Sequence, residues 1–485
     1  MSREKFYITT PIYYPNDIPH IGHAYTTLAA DIIARWQTLL GKEVFFLTGT
    51  DEHGKKIELA ARQKGKSPKA FVDELIPSFV DAWKKLNIRY SRFLRTTEKE
   101  HEAVVQSLLN SVRKKGDIYL GTYEGYYCTD CEAYYTEKDA PELKCPIHHK
   151  TLEKLQEKSY FFKLSKYQKQ LLSYYKKNKL FLSPEFRSNE IINRVSEGLQ
   201  DLSISRTSFS WGIPIPFDEK HITYVWFDAL ANYLTGIGYL NDKKKFKKFW
   251  PADVHLVGKD ISWFHCVIWP AMLFSAGIEP PRQIFSHGWW TFDKEKISKS
   301  RGKVINVDEL IAIAGVDSAR YFLFRETPFG QDGDFSEKEL IEKHNNELAN
   351  KLGNLFSRVT SSAEKNGIKK IENKLIKKLA LKEIEKKMED LEIDKALSTI
   401  FSFIDKCNEY IQEKKPWESE TTDKDKILYE LIDSIKAIAI LLWPFIPETS
   451  EKIARHLDFE ISYENIKKAY QGNTIKKADI LFKKI

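Results

Sequence analysis

The chain has 485 residues, of which 42% are hydrophobic and 30% charged. That length exceeds one ordinary core and predicts two to four domains of a soluble globular protein. An integral membrane protein is excluded, because no apolar run approaches the roughly 18 residues of a bilayer span. A net charge of +8 suits a polyanionic partner, although a lysine-rich solvated surface accounts for it equally well. The first residues carry no charged-then-apolar secretory pattern, so a cytoplasmic location is expected. Of the five cysteines, Cys128, Cys131 and Cys145 cluster, while Cys266 and Cys407 stand apart. That usage fits a reduced compartment and one metal site better than a disulfide framework.

In chain order, residues 5–10 predict a short strand, the run from Pro15 to Pro19 a loop, and residues 21–40 an apolar-periodic helix closed by Gly41. The nearly continuous apolar run at residues 43–48 predicts a buried parallel strand. Strand, helix and strand make a βαβ unit, the opening of a doubly wound, Rossmann-like α/β domain. Aromatic runs, turns and the cysteine cluster interrupt this alternation between residues 119 and 158, which predicts an insertion. Strands are expected again at residues 223–227, 254–257 and 284–289, with a helix at 263–274. The lysine run at residues 243–248 predicts an exposed loop or helix edge. Beyond residue 338 the periodicity is helical throughout, at residues 345–366, 379–387, 397–411 and 427–443. The expected domains are therefore 1–118 and 223–290 as the two halves of the catalytic sheet, 119–222 as the insertion, 291–338 as a loop and linker region, and 339–485 as an all-α bundle.

Three constellations carry chemistry. His20-Ile21-Gly22-His23 opens the first helix, where free N–H groups and a positive partial charge favour phosphate. Pro19 is expected to enter that helix without wasting a donor, and Gly22 to leave room for a nucleotide. Lys296-Ile297-Ser298-Lys299-Ser300 follows the last strand in a segment too polar to pack, and its cations and hydroxyls could close over a triphosphate. Asn306 and Glu309 predict the capping pair of the next helix. Cys128-x-x-Cys131 with Cys145-x-x-His148 has the spacing of one tetrahedral, structural zinc, with His149 as the alternative fourth ligand. Each has an ordinary structural alternative: surface histidines capping a helix, a basic loop, and loosely placed thiols.

The first two motifs together, in this order and on this topology, resemble the HIGH and KMSKS signatures of class I aminoacyl-tRNA synthetases, with Ile297 in place of the usual methionine. The insertion leaves no room for a separate editing domain, unlike the isoleucine, valine and leucine enzymes. Pro11-Ile12-Tyr13-Tyr14-Pro15-Asn16, Tyr224-Val225-Trp226-Phe227-Asp228-Ala229-Leu230 and Phe264-His265-Cys266-Val267-Ile268-Trp269-Pro270-Ala271 resemble the methionyl-tRNA synthetase family. The single cysteine–histidine knuckle is similar to its bacterial and organellar branch. The resemblance runs over almost the whole chain.

The resemblance implies activation of L-methionine by Mg2+-bound ATP and transfer to tRNA(Met), the initiator included. It implies that His20, Gly22, His23, Lys296, Ser298, Lys299 and Ser300 bind ATP, with His20, His23, Lys296 and Lys299 stabilising the transition state. It implies a methionine pocket of Ile12, Tyr14, Trp226, Ala229, Leu230, Tyr233, Ile261, His265 and Trp269, with Asp51 on the ammonium. A polarizable thioether suits such aromatic walls, although any one of these aromatics could equally be core. It further implies that Asn350, Asn354, Arg358 and Trp417 read the anticodon. Amides and a guanidinium can bond to base edges, and an indole can stack on an unpaired base. A monomer is expected. The alternatives are another class I synthetase and a non-catalytic tRNA-binding paralogue, and retention of both ATP motifs argues against the latter.

Overall fold

A computed structural model describes residues 4–130, 133–135, 140, 142–147, 149–292, 295–296, 305–418 and 423–485. The central sheet starts with β1, Lys5–Thr9, whose last four residues are buried. A helix, α1 (Ile21–Leu39), crosses to β2 (Glu43–Thr50), which pairs in parallel with β1 from Lys5↔Glu43 to Thr9↔Leu47. On its far side β2 pairs with β3, Arg92–Arg95. The other flank of β1 takes strand Val254–Gly258, then Ile284–His287, then the two-residue edge strand Leu182–Ser183. All five pairings are parallel. The chain winds outward from β1 in both directions, so the sheet reverses order between β1 and Val254–Gly258, the crevice where ligands of such sheets bind.

The span read as an insertion contains a long antiparallel ladder, Ile118–Cys128 against Glu153–Phe162, and also supplies the Leu182–Ser183 edge of the main sheet. Helices dominate after strand Gly333–Asp334; the longest are Ile393–Lys414 and Lys424–Leu442. Among the described residues no helix is long and apolar enough to cross a membrane.

Three local expectations need correction. Residues 223–227 do not form a strand of the main sheet. Asp218–Thr223 belongs to a small antiparallel sheet, and Val225–Ala229 is a short helix. Short apolar runs do not distinguish a buried strand from a buried helical turn. The helix expected at 263–274 is a π-helix, Phe264–Ile268, followed by an α-helix, Trp269–Ala276. Pro270 has no N–H to offer the Cys266 carbonyl four residues back, and the Tyr175 hydroxyl donates to that carbonyl instead, at 2.7 Å. A second π-helix spans His344–Gly353. The helix expected at residues 345–366 is therefore α-helical only from Asn354, and Asn350 lies on the π-helical stretch while Asn354 and Arg358 share the α-helix. The lysine run, expected as an exposed loop or helix edge, lies on a helix, Lys243–Phe249, whose N-cap Asp242 accepts from the Lys245 amide and whose Lys243, Lys244, Lys247 and Lys248 are exposed.

Every residue of α1 from Ala24 to Gln37 is buried. One continuous apolar core joins it to the sheet below and the C-terminal helices above. A fully buried ion cluster spans the same seam. Asp31 Oδ2 accepts from Arg35 Nε and from Arg320 Nη2, both at 2.7 Å. Arg320 also donates to the carbonyls of Leu86, Pro444 and Phe445.

Candidate active site

The crevice at the sheet's switch point opens into a cavity of about 930 Å3. His20 is the N-cap of α1, and its Nδ1 accepts from the Gly22 amide at 3.1 Å. The His20 amide donates in turn to His23 Nδ1 at 3.3 Å, and the two rings stack 3.9 Å apart. Since both Nδ1 atoms accept, each neutral imidazole carries its proton on Nε2. Burial, then the neighbouring His20 and Lys56, hold the His23 pKa well below the usual range. Gly22 has a local reason: a Cβ there would meet His20 Cε1 at 3.0 Å, so only glycine lets the ring fold back freely.

This geometry corrects two expectations. The amides of Ile21 and Gly22 are already engaged, by the Ile305 carbonyl and by His20, so phosphate cannot rely on them as free donors. Pro19 precedes the cap rather than standing at the first helical position.

Ile12, Tyr14 and Asp51 meet because the segment before α1 is laced onto the end of β2. The Tyr13 amide donates to the Gly49 carbonyl at 3.0 Å, and the Asp51 amide to the Tyr13 carbonyl at 2.9 Å. The opposite wall comes from helices Val225–Ala229 and Asn232–Thr235 and from the π-helix. Trp226 lies flat against Phe264, with centroids 3.8 Å apart and planes 5° apart. The Tyr233 hydroxyl donates to His265 Nε2 at 2.7 Å, because His265 Nδ1–H is committed to the Ile261 carbonyl at 3.0 Å. Burial, only partly offset by that carbonyl, lowers the His265 pKa to about 4, so the ring is neutral at neutral pH.

Ala229, Leu230 and Ile261 also border the cavity, as do His20, Gly22, His23 and Asp51. Trp269 does not. It is fully buried behind Tyr233, with ring centroids 5.9 Å apart. Among the lining residues that escaped the sequence reading are Phe264, Lys259, Asp260 and Trp289. Trp289 Nε1 donates to Asp260 at 3.1 Å, and Lys259 lies 4.2 Å over the Trp289 ring. The legible signal was Gly258-Lys259-Asp260 at the C-terminal end of a central strand, where ligand-binding residues of this architecture gather.

Lys296 ends the short strand Glu295–Lys296, paired with Trp290–Phe292. Ser298, Lys299 and Ser300 lie outside the described residues. The capping box predicted after them is present: Asn306 accepts from the Glu309 amide and Glu309 from the Asn306 amide, each at 2.9 Å. Cys128 and Cys145 are buried in one small cluster with Ala140 and Leu152, while Cys131 and His148 lie outside the described residues. In the helical region the Arg358 guanidinium stacks 4.7 Å over Trp417, which is 46% exposed and so open to a further stacking partner. Asn354 is exposed and Asn350 half-buried.

A doubly wound parallel sheet with paired imidazoles at its switch point, a basic segment after its last strand and a helical bundle downstream defines a class I aminoacyl-tRNA synthetase. The family model "tRNA synthetases class I (M)" matches residues 6–154 and 141–360, and "Anticodon binding domain of methionyl tRNA ligase" matches 362–485. The methionine–tRNA ligase of Caldanaerobacter subterraneus is 45% identical over 505 residues, covering 100% of this chain and 79% of the relative. That of Rickettsia conorii is 46% identical over 469 residues, covering 93% and 92%. The Mycobacterium tuberculosis methionyl-tRNA synthetase in complex with methionyl-adenylate superposes with a TM-score of 0.94 at 38% identity, over 99% of both chains. Its free state gives 0.87 at 36% identity, over 100% of this chain and 98% of that one. The chain belongs to the methionyl-tRNA synthetase family. It is an enzyme that activates methionine with ATP and transfers it to tRNA(Met).

Proposed function

We propose that the cavity binds methionine and Mg2+-bound ATP end to end. The ammonium sits on Asp51, and the thioether lies between Trp226, Tyr233 and His265, with Ile12, Tyr14, Ala229, Leu230 and Ile261 closing the pocket. The observation that carries this reading is that Asp51, the aromatic wall and both HIGH imidazoles border one cavity. Trp269 acts behind the wall rather than on it.

The methionine carboxylate attacks the α-phosphorus of ATP, forming the mixed anhydride and breaking the α–β bridge to release pyrophosphate. No protein nucleophile is needed, so catalysis rests on positioning and on stabilising charge as it develops. His20 and His23 donate Nε2–H to phosphate oxygens. Lys296, Ser298, Lys299 and Ser300 supply the remaining contacts from the segment after the last strand. A hydroxyl of the terminal adenosine of tRNA then attacks the carbonyl and AMP leaves.

The test is ATP–pyrophosphate exchange. Asp51→Asn should raise the methionine KM by about tenfold or more, as expected for losing a buried charge-assisted bond, and leave the ATP KM nearly unchanged. An unaltered methionine KM would remove Asp51 from the pocket.

Anticodon reading by Asn350, Asn354, Arg358 and Trp417 is supported by the Arg358–Trp417 stack, a ready platform for an unpaired base. Trp417→Ala should cut tRNA charging by roughly 5- to 150-fold, the equivalent of 1–3 kcal/mol of base stacking, while exchange survives. Equal loss of both activities would sink the assignment. The knuckle is proposed to hold one structural zinc through Cys128, Cys131, Cys145 and His148 or His149. Burial of Cys128 and Cys145 in the same small cluster supports it, four buried residues among those described, since a small core gains its stability from a bound metal. Metal analysis returning no zinc from protein purified without chelator would refute it. The buried thiols Cys266 and Cys407 suit a reducing, cytoplasmic compartment.

A further inference from the structure

Beneath the cavity lies a buried polar group that the mechanism above does not use. Asp228, 1% exposed, receives an imidazole on each carboxylate oxygen. His53 Nδ1 lies 2.7 Å from Oδ2, and His101 Nε2 lies 2.8 Å from Oδ1. The other nitrogen of His101 meets Thr235 Oγ1 at 3.0 Å.

His53, Asp228 and Thr235 each sit on an element that carries a pocket wall. His53 follows Asp51 by two residues on the turn after β2. Asp228 stands between Trp226 and Ala229 on helix Val225–Ala229. Thr235 ends helix Asn232–Thr235, two residues after Tyr233. His101, on helix Lys99–Lys114, lines none of the cavity but bonds to both wall helices. The carboxylate that meets the ammonium and the aromatics that meet the thioether are thus tied together from below.

We infer that His53, Asp228 and His101 are positioning residues for methionine, a clamp that sets the distance between Asp51 and the Trp226–Tyr233 wall. The inference rests on the pocket reading proposed above. Well-packed apolar side chains would stabilise this position at least as well as a buried ion group, whereas directional bonds fix the spacing between two elements.

The clamp is charge-dependent. Burial opposes a proton on His53, but the Asp228 carboxylate outweighs it, with smaller help from Glu52 and Glu102, and the His53 pKa is raised. Glu52 is itself held by Arg95 at 2.6 and 2.9 Å, and the remaining face of His53 packs on Trp211, 5.4 Å away. A raised histidine holds its charge-assisted bond below the ordinary value of about 6.5 and loses it as pH climbs through the raised value. Methionine binding should therefore weaken on the alkaline side.

The experiment is steady-state ATP–pyrophosphate exchange on the full chain, with methionine and ATP varied separately across pH. His53→Ala should raise the methionine KM by about tenfold, the loss of one buried charge-assisted bond, while the ATP KM moves by less than about twofold. His53→Asn places an amide donor near Nδ1 without a titrating charge. It should restore most of the affinity at neutral pH and flatten the alkaline rise in methionine KM relative to the natural chain. Deprotonation of methionine's own ammonium is common to both proteins and cancels in that comparison. His101→Gln, with an amide near Nε2, should be tolerated where His101→Ala is not. The clamp is overturned if His53→Ala leaves the methionine KM unchanged, if the ATP and methionine KM values rise together, or if His53→Asn is no better than alanine. Should Asp51→Asn also leave the methionine KM unchanged, the pocket reading fails as well; if Asp51→Asn raises it and His53→Ala does not, only the clamp fails.

Discussion

Asp31→Ala is expected to cost about 3–5 kcal/mol of unfolding free energy, the usual penalty for stripping one partner from a buried ion pair. Asp31 is 0% exposed and bonded on both oxygens, to Arg35 and Arg320 through Oδ2 and to the Arg89 amide through Oδ1 at 2.8 Å. Burial opposes its charge, but the two guanidinium groups outweigh burial and hold its pKa below the usual carboxylate value. A lowered carboxylate stabilises above its unfolded pKa of about 3.9 and loses that contribution as pH falls below it. The alanine variant leaves two desolvated cations facing a void. Urea unfolding at neutral pH reads the effect directly, and a loss below about 1 kcal/mol, the scale of an exposed pair, would mean that the cluster behaves as surface charge.

His23→Ala should slow methionine-dependent exchange by about 10²–10³-fold, as removal of one preorganised donor to a developing oxyanion does. The stacked pair leaves His23 neutral with its proton on Nε2, so it acts as a hydrogen-bond donor and not as a cation. Two consequences distinguish this from a charge effect. His23→Gln, whose amide reaches as far as Nε2, should recover part of the rate, whereas His23→Asn should not. The rate should also show no gain on acidification between about pH 8 and pH 6, because a lowered histidine takes up its proton only well below 6.5. A rate that climbed through that window would show that the charged form does the work.

Much of this was legible in the residues themselves. The run at 43–48 announced a buried strand, the Asn306–Glu309 pair announced a helix start, and the two ATP motifs announced the class. What escaped was decided by tertiary packing. The Tyr224–Phe227 run is apolar enough for a strand and too short for periodicity to say otherwise. At the π-helix Phe264–Ile268, the carbonyl that Pro270 leaves without an amide is met by the hydroxyl of Tyr175, far away in the chain. Phe264 is one aromatic among many in the sequence and becomes part of the wall only through its stack on Trp226. The phosphate reading of α1 assumed bare amides, and the fold spends two of them on Ile305 and His20 before any ligand arrives.

The Arg320 guanidinium also bears on how freely such enzymes can exchange parts. It draws its acceptors from Asp31 on the first helix, Leu86 in the catalytic half, and Pro444 and Phe445 in the bundle. A chimera that joined this bundle to a foreign catalytic half would bring two carbonyls placed for an arginine that the host would have to supply. Grafts between relatives should therefore succeed in proportion to how faithfully this junction is carried across, whatever the identity of the surfaces that meet the tRNA.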